Sequence, residues 1–292
     1  MEVTRNLFIF VHHRCRRMNK IYFVPVGGLA NRFRAVASAA VVAEESGSQL
    51  HIFWFQNWAL NAPFCDFFEP LSIGDGKLYE ANLVHHLLYD RPRSKNLYIP
   101  RVYQKIRFKH CIYEEQIETL RKNVGYFRQL AKEGDVYIAS FNPMVAYPSS
   151  LLRRLFRPLP FILAQIDERF QRMSDYCIGV HVRRTDHVTS IANSPDELFF
   201  DALDKEIELH RDVTIYLATD SEKVKESFKE RYGRRLFYSP AVADRNSSKG
   251  IGEAIVEMFT LSKMRKIYGS FGSSFSELAA QFGDIPLTIL KK

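Results

Sequence analysis

The sequence has few cysteines and no long hydrophobic run, and each shortage excludes a class of protein. Its four cysteines lie far apart among 292 residues and form no C-x-x-C pair; they are Cys15, Cys65, Cys111 and Cys177. This spacing does not suit a zinc site or a disulfide framework, and it favours free thiols in a reducing compartment. The apolar patch at 7–11 is too short to span a bilayer, and positive charge follows it, whereas a signal peptide carries its charge before the apolar run. We therefore expect a soluble cytoplasmic protein.

Basic residues exceed acidic ones, but no nucleic-acid-binding module accompanies them. The net charge is +8, with 46% hydrophobic and 25% charged residues, a globular composition in a chain long enough for two domains. Such a charge suits nucleic acid, an anionic membrane surface or phosphate-bearing substrates. Because acids and bases are interleaved almost everywhere, without a basic stripe or zinc-finger spacing, we do not expect a nucleic-acid partner.

Strand-like and helix-like segments alternate along most of the chain. Alternation is clearest in the second half, and it predicts an α/β fold with two Rossmann-like halves, each a doubly wound parallel sheet, facing each other across a cleft. Residue patterns predict strands at 21–26, 49–55, 136–140, 176–182, 213–218, 235–238, 266–269 and 286–290, and helices at 35–43, 114–130, 195–210, 222–232, 251–261 and 275–282.

Prolines between positions 143 and 160 mark the predicted boundary between the two halves. We place the domains at 18–155 and 156–292. Residues 1–17 precede a clear strand start and are expected to be a poorly packed N-terminal extension.

The first candidate site follows the predicted strand at 176–182, where the sequence reads HVRRTDH. Strand alternation sends His181 and Arg183 to one face. Adjacent arginines suit a diphosphate, because guanidinium is planar, permanently charged and able to donate two hydrogen bonds to phosphate oxygens. Asp186 could hold one arginine in place, since an unpaired buried guanidinium is costly. The alternative is a structural Arg–Asp ion pair at the end of the strand.

Three further candidate sites lie at strand ends, where ligands bind in open α/β sheets. Asp220 lies in the segment LATDS at the end of a predicted strand, and an ordinary helix N-cap is the alternative there. The glycine- and serine-rich segment 269–277 leads into a helix and suits an anion, although Ser274 and Glu277 also fit a capping box. The turn at 27–32, GGLANR, resembles a phosphate loop but matches neither G-x-G-x-x-G nor Walker A, which weakens a dinucleotide oxidoreductase interpretation.

In this order, four motifs resemble those of the GDP-fucose-dependent fucosyltransferases, the superfamily of α-1,2-, α-1,6- and protein O-fucosyltransferases. They are GGLANRFRA at 27–35, HVRRTDH at 181–187, YLATDS at 216–221, and a block from 250 that ends in GSFGSSFSELAAQFG at 269–283. The resemblance covers most of residues 18–292.

This resemblance implies a GT-B architecture with an acceptor-side N-terminal domain and a C-terminal domain that binds the nucleotide sugar. It implies transfer of fucose from GDP-fucose to a hydroxyl of a glycan or lipid-linked saccharide, with inversion, no cofactor and no metal. The chain contains no Asp-x-Asp motif, and fixed positive charge would stand in for a metal at the leaving diphosphate.

The resemblance also implies roles for individual residues. Arg183 would stabilise the β-phosphate of GDP as the bond to fucose breaks, and His181 would line the nucleotide pocket. Arg184 would be either a second phosphate contact or the structural partner of an acid. The resemblance implies further positions in substrate binding, namely Gly28, Asn31 and Arg32 at the first turn, and Asp220, Ser273, Ser274 and Glu257. Glu257 stands where relatives often carry an aspartate that contacts guanine.

The catalytic base is left open. In the α-1,6 enzymes a glutamate follows the Arg-Arg-x-Asp motif, but residues 188–193 contain no carboxylate. Asp186, His187, Asp196 and Glu197 are candidates, and histidine has the most suitable ordinary pKa. Two alternatives follow: a GT-B transferase that uses another nucleotide sugar, and a catalytically inactive nucleotide- or glycan-binding protein.

Two groups of basic residues could bring the protein to anionic lipids. They are Arg101, Lys105, Arg107 and Lys109, and Arg153, Arg154 and Arg157. A solvated surface is the alternative. Peripheral contact with the inner face of a membrane is therefore an expectation.

Overall fold

The computed structural model describes residues 18–185, 188–241, 244 and 246–292. The expected N-terminal extension at 1–17 lies outside these ranges, as do two of the predicted catalytic residues, Asp186 and His187. Two parallel five-stranded sheets form the described part of the chain, and helices cover them. The predicted α/β fold of two Rossmann-like halves is confirmed.

The first sheet has the strand order β3-β2-β1-β5-β4, with every pairing parallel. Its elements are β1 (Lys20–Pro25), α1 (Leu29–Ser46), β2 (Gln49–Trp54), β3 (Lys77–Glu80), α2 (Leu83–Leu88), α3 (Ile99–Arg107), β4 (His110–Ile112), α4 (Glu114–Leu120), α5 (Tyr126–Glu133) and β5 (Val136–Ser140). A short 3₁₀ turn, Ser94–Asn96, lies between α2 and α3.

The second sheet has the order β10-β9-β6-β7-β8, again all parallel. Two helices lead to it, α6 (Ser149–Leu155) and α7 (Pro160–Phe170). The rest comprises β6 (Cys177–Val182), α8 (Val188–Asn193), α9 (Asp196–Leu209), β7 (Thr214–Thr219), α10 (Glu222–Tyr232), a 3₁₀ turn (Gly233–Arg235), β8 (Leu236–Tyr238), α11 (Ser248–Leu261), β9 (Lys266–Ser270), α12 (Ser274–Gly283) and β10 (Leu287–Leu290).

In each sheet the direction of strand succession reverses beside the first strand of that half. The reversal lies between β1 and β5 in the first sheet and between β6 and β9 in the second. Open α/β sheets bind ligands outside the carboxyl ends of the strands at such a switch point. The topology therefore places one expected binding region in each half.

The helix predicted over 114–130 is in fact two helices, α4 and α5. Gly125 begins α5 in a left-handed conformation, with φ of 86°, which favours glycine and interrupts a continuous helix. The other predicted helices and strands of the second half are present with small shifts at their ends. The predicted domain boundary at 155 coincides with the end of α6 and stays a prediction.

The two halves share a hydrophobic core that holds the cleft in place. Phe33 of α1 stacks on Phe156 with ring centroids 3.8 Å apart, and Phe282 of α12 approaches the edge of the Phe33 ring at 6.2 Å. Truncating such a buried aromatic ring to alanine typically costs about 3 to 5 kcal/mol. The packing of α1 against α12 therefore sets how the two strand edges face each other.

Candidate active site

A cavity of about 570 Å³ lies at both switch points, between the carboxyl ends of the two sheets. Residues from both halves line it. The first half contributes Gly28, Leu29, Ala30, Asn31, Arg34, Ala59, Leu60, Phe141 and Asn142, and the second His181, Arg183, Thr219, Asp220, Ala241, Asp244, Gly250, Ile251, Glu253, Ala254, Glu257, Gly272, Ser273, Ser274, Phe275 and Glu277.

Arg183 follows the end of β6 and contributes a guanidinium to this cavity. Its backbone N–H donates to the Ser270 hydroxyl at 3.0 Å, and its Nε lies 3.8 Å from Oδ2 of Asp220. Asp220 also accepts hydrogen bonds from the Arg184 backbone N–H at 2.8 Å and from the Thr185 hydroxyl at 2.7 Å. Although burial opposes it, these bonds and the charge of Arg183 lower the pKa of Asp220. Asp220 is thus an ionised group that holds Arg183 in position.

His181 lies at the cavity as a neutral side chain. Only 6% of its surface is exposed, and its ring stacks on Phe275 with centroids 4.8 Å apart. Burial and the nearby Arg183 charge lower its pKa to about 3, so the imidazole carries no charge at neutral pH. Its Nδ1 lies 3.2 Å from the Ser273 hydroxyl. His181 therefore orients this serine without adding charge.

The start of α12 forms the wall of the cavity beside His181. Gly272 adopts φ of 69°, a left-handed turn that favours glycine, and Ser273 is the N-cap. Ser273 and Ser274 both line the cavity, so the positive end of the helix lies where an anion would bind. The capping box expected of Ser274 and Glu277 does not form, because the Glu277 carboxylate instead binds an arginine of the first half.

Two glutamates of α11, Glu253 and Glu257, lie one turn apart and both line the cavity. Glu253 accepts a 2.6 Å hydrogen bond from Arg169, whose guanidinium also donates to the Tyr216 hydroxyl at 3.0 Å. Burial, reinforced by the charge of Glu253, raises the pKa of Glu257 to about 8. At neutral pH Glu257 thus holds a proton, whereas Glu253 is held by a fixed cation.

The glycine turn brings Gly28 and Asn31 to the cavity, but it does not bring Arg32. The Arg32 side chain is fully buried, and it donates to the carbonyls of Gly27 at 2.8 Å and Phe55 at 2.7 Å. This corrects the expectation that Arg32 faces the substrates. Its guanidinium points beneath the turn, where it satisfies backbone carbonyls and stabilises the loop.

Arg34 occupies the position at the cavity that the sequence interpretation gave to Arg32. It lies three residues after Asn31, so the two side chains share one face of α1. Its Nη1 lies 3.0 Å from Oε2 of Glu277. Helical spacing from Asn31 was the signal that could have identified Arg34, whereas Glu277 depends on packing between the halves.

Arg184 does not line the cavity, unlike its neighbour. It donates to the Asp196 carboxylate and, at 2.8 Å, to the Ser194 carbonyl. Of its two predicted roles, the structure shows the partner of an acid and not a phosphate contact. Asp196, one of the carboxylates proposed as a base, is bound to Arg184. Glu197, the other, is not among the residues that line the cavity.

Comparisons with known proteins agree with this geometry. Residues 135–273 match the family model of α-(1,6)-fucosyltransferase N- and catalytic domains. The fold is similar to that of NodZ α-1,6-fucosyltransferase soaked with GDP-fucose, with a TM-score of 0.65, 20% identity, and coverage of 94% of this chain and 95% of that chain. A NodZ structure from Bradyrhizobium gives a TM-score of 0.62 at 19% identity, covering 90% and 93%.

More distant enzymes share the fold. POFUT1 in complex with GDP-fucose matches with a TM-score of 0.58 and 11% identity, covering 93% of this chain and 97% of that chain. A mutant of Arabidopsis thaliana FUT1 in complex with GDP matches with a TM-score of 0.59 and 13% identity. The match covers 94% of this chain and 70% of that chain. A comparison with curated protein sequences finds no match.

The two parallel sheets give this chain the fold of the GT-B fucosyltransferases that it matches. The family match over 135–273 agrees with the resemblance of its motifs to the GDP-fucose-dependent fucosyltransferases.

Proposed function

We propose that the protein transfers fucose from GDP-fucose to a hydroxyl of a glycan or lipid-linked saccharide, with inversion and without a metal. The observation that carries this proposal is the convergence of Arg183 and the start of α12 on one side of a cavity between two Rossmann-like halves. Breaking the bond between fucose and GDP leaves negative charge on the β-phosphate. A guanidinium and a helix N-terminus are suited to bind that charge.

The supports of Arg183 make it a preorganised group. Its backbone is held by Ser270 and its side chain lies beside the ionised Asp220. Charge that is already in place when the transition state forms costs no reorganisation, and such electrostatic groups commonly contribute about 3 to 4 kcal/mol to catalysis. The fixed positive charge of Arg183 could neutralise the leaving diphosphate in place of a metal ion, and this supports the proposal that the reaction needs no metal.

Inversion requires the acceptor hydroxyl to approach fucose from the side opposite the diphosphate. The phosphate-binding groups belong to the second half, so the acceptor would approach from the first half, past Gly28, Asn31 and Arg34. Asp186 and His187 stay candidates for accepting the hydroxyl proton, and the departing diphosphate is the alternative.

Phe141 and the turn that carries Trp58 lie beside the glycine turn on this acceptor side. The close approach shows in the space beside the two glycines. A Cβ atom built on Gly28 would lie 3.8 Å from the carbonyl oxygen of Ala59, and a Cβ atom built on Gly27 would lie 3.7 Å from Cβ of Phe141. Trp58, next to Ala59, is 68% exposed at the tip of a turn. Exposed aromatic rings offer flat apolar surfaces for the faces of a pyranose, which supports a saccharide acceptor.

The turn that carries Trp58 is held rigidly. The backbone N–H of Asn57 donates to the carbonyl of Leu60 and the N–H of Leu60 donates back to Asn57, both at 3.0 Å. The Asn57 side chain also accepts from Ala59 at 3.0 Å. A fixed turn keeps the indole in one place, so little order would be lost when a sugar binds.

Thermal stabilisation by nucleotides, together with GDP release, tests the proposal. GDP and GDP-fucose should raise the melting temperature, whereas UDP-sugars should not. The rate at which the protein releases GDP from GDP-fucose should rise when a saccharide acceptor is present. Stabilisation by none of the guanine nucleotides would overturn the donor assignment. Tight GDP binding without turnover across an acceptor panel would favour an inactive nucleotide-binding protein, and turnover of a different nucleotide sugar would reassign the donor.

A further inference from the structure

The surface formed by α2, α3 and the segment between them exposes an unusual number of large apolar side chains. Six of them define what we call the apolar face: Leu83, Leu87, Leu97, Ile99, Val102 and Ile106. Leu83 is 87% exposed and Ile106 is 83% exposed. Single exposed apolar residues are common on protein surfaces, but a contiguous group marks an interaction surface.

Helix α3 is oriented with its apolar side outwards. Ile99, Val102 and Ile106 lie on one stripe and are all exposed, whereas Gln104 is completely buried. Gln104 donates to the carbonyls of Leu88 at 3.2 Å and Asp90 at 2.9 Å. A surface helix of a globular protein normally presents the opposite arrangement. The inward polar contacts therefore fix α3 with its apolar stripe in solvent.

The loop before α3 adds to this surface. Leu97 and Tyr98 are consecutive residues with φ of 50° and 56°, a conformation that is unfavourable for residues with a side chain. Asn96 braces the loop, since its side chain accepts from the Arg93 N–H and donates to the Arg91 carbonyl, each at 2.9 Å. The bent backbone leaves Leu97 projecting into solvent, where 78% of it is exposed.

Basic side chains surround the apolar face. Residues 81–110 contain seven lysines and arginines, of which Arg91, Arg107 and Lys109 pair with acids of neighbouring elements. The same residues include one acid. That acid, Asp90, is buried and binds Arg93 at 2.8 Å. Lys95, Arg101 and Lys105 are exposed beside the stripe and form no ion pair within the described ranges. A second copy of this face would meet it with like charge, which disfavours a symmetric dimer.

We propose that the apolar face docks the protein onto a bilayer that contains anionic lipids. Apolar side chains flanked by lysine and arginine are the pattern of helices that lie in the membrane interface. No helix in the part of the chain that the structure describes is long and apolar enough to cross a membrane. This inference does not depend on the activity proposed above.

Docking would bring the cleft close to the bilayer. Helix α2 follows the carboxyl end of β3, at the sheet edge where the cavity lies, and His86 of α2 contacts Phe55 with ring centroids 4.8 Å apart. If the proposed transfer holds, a saccharide on a lipid carrier would reach the acceptor side of the cavity without leaving the membrane.

Co-sedimentation with vesicles tests the proposal. We expect binding to vesicles of phosphatidylcholine with about one-third phosphatidylglycerol, little binding to phosphatidylcholine alone, and weaker binding at high salt. The double variant Val102→Asp, Ile106→Asp should lose binding. Arg101→Glu with Lys105→Glu should weaken it by at least about tenfold. All four side chains are exposed, so the melting temperature should stay unchanged.

Two matched controls separate this face from general charge and hydrophobicity. Val124→Asp removes a 92% exposed apolar side chain elsewhere, and Arg154→Glu reverses an exposed charge on α6; both should bind like the parent protein. Equal binding by the face variants and the parent would overturn the proposal. So would a lipid-free dimer that the Val102→Asp, Ile106→Asp variant dissociates, because the face would then belong to a second copy.

Discussion

The Arg34 guanidinium of α1 lies 3.0 Å from the Glu277 carboxylate of α12, and this pair joins the two halves at the rim of the cavity. A second contact between the halves lies on the same helix, where Tyr147 donates to the Gln281 side chain at 3.0 Å. Both members of the ion pair are partly exposed, at 25% and 40% of their side chains. Such a pair contributes under about 1 kcal/mol to stability, so we assign its importance to the geometry of the cleft.

Replacing Arg34 should therefore impair transfer more than folding. We expect Arg34→Ala to lower kcat/KM for the acceptor by at least about tenfold while the melting temperature changes little. Arg154→Ala is the matched control, since Arg154 and Glu44 form another exposed pair, 3.6 Å apart, between α6 and α1. Equal losses in both variants, or a melting temperature that falls with the activity of Arg34→Ala, would contradict this role.

Replacing Arg183 should impair the reaction, whereas replacing its neighbour Arg184 should impair stability. Arg183→Ala should lower the rate of GDP release from GDP-fucose by at least about a hundredfold with the fold retained, because it removes charge stabilisation at the leaving phosphate. Arg184→Ala should instead lower the melting temperature, since it leaves Asp196 without its cation. Steady-state kinetics and thermal unfolding of both variants distinguish the two roles. Near-normal transfer by Arg183→Ala would remove that residue from the mechanism.

The raised pKa of Glu257 predicts how GDP affinity varies with pH. The resemblance implies that Glu257 contacts guanine, whose N–H donors would favour the ionised carboxylate. Because Glu257 has a pKa of about 8 in the free protein, binding should release its proton, and affinity should rise between pH 6 and 8 by up to about tenfold per unit. Calorimetric titrations in two buffers with different ionisation enthalpies measure the released proton. Glu257→Gln should abolish that release; the same release in this variant would assign it to another group.

Glu257 also affects stability with a definite sign. Its folded pKa of about 8 lies above the ordinary value of 4.5, so the folded state retains a proton that the unfolded chain loses first. The resulting stabilisation is fully present below pH 4.5 and is lost as pH rises through 8. Urea denaturation should show a smaller decline over this range in Glu257→Gln than in the parent protein. An identical decline would mean that Glu257 does not hold its proton in the folded state.

Trp58 should matter for the acceptor and not for the donor. We expect Trp58→Ala to raise the acceptor KM about three- to tenfold, the range of an aromatic contact, and to leave hydrolysis of GDP-fucose by water unchanged. Trp58→Phe should restore part of the affinity. Phe161→Ala, which removes an exposed ring on α7, should change neither quantity. An equal effect of Trp58→Ala on hydrolysis would place Trp58 at the donor instead.

Local sequence patterns determined the alternation of strands and helices and the positions of several charged and polar residues that line the cavity. Runs such as CIGVHV form buried strands whatever their partners, and polar residues directly after parallel strands necessarily collect at one sheet edge. For this reason strand ends alone predict His181, Arg183, Asp220 and the serines of α12 as site residues. The break between α4 and α5 at Gly125 was missed because the flanking residues keep a helical pattern.

Tertiary structure decided which partners the side chains at the cavity meet. Helix geometry separates Arg32 from Arg34, since successive residues on a helix point about 100° apart, and the packing of α1 then buries Arg32 under the turn and leaves Arg34 at the cleft. Glu277 matches a capping box locally but binds Arg34, because the packing of α12 against α1 brings that cation within 3.0 Å of its carboxylate. The sequence by itself determined the strand ends that carry the chemistry. The packing of one half on the other determined which charges meet there, since that depends on contacts such as the one between Arg34 and Glu277, which lie 243 positions apart.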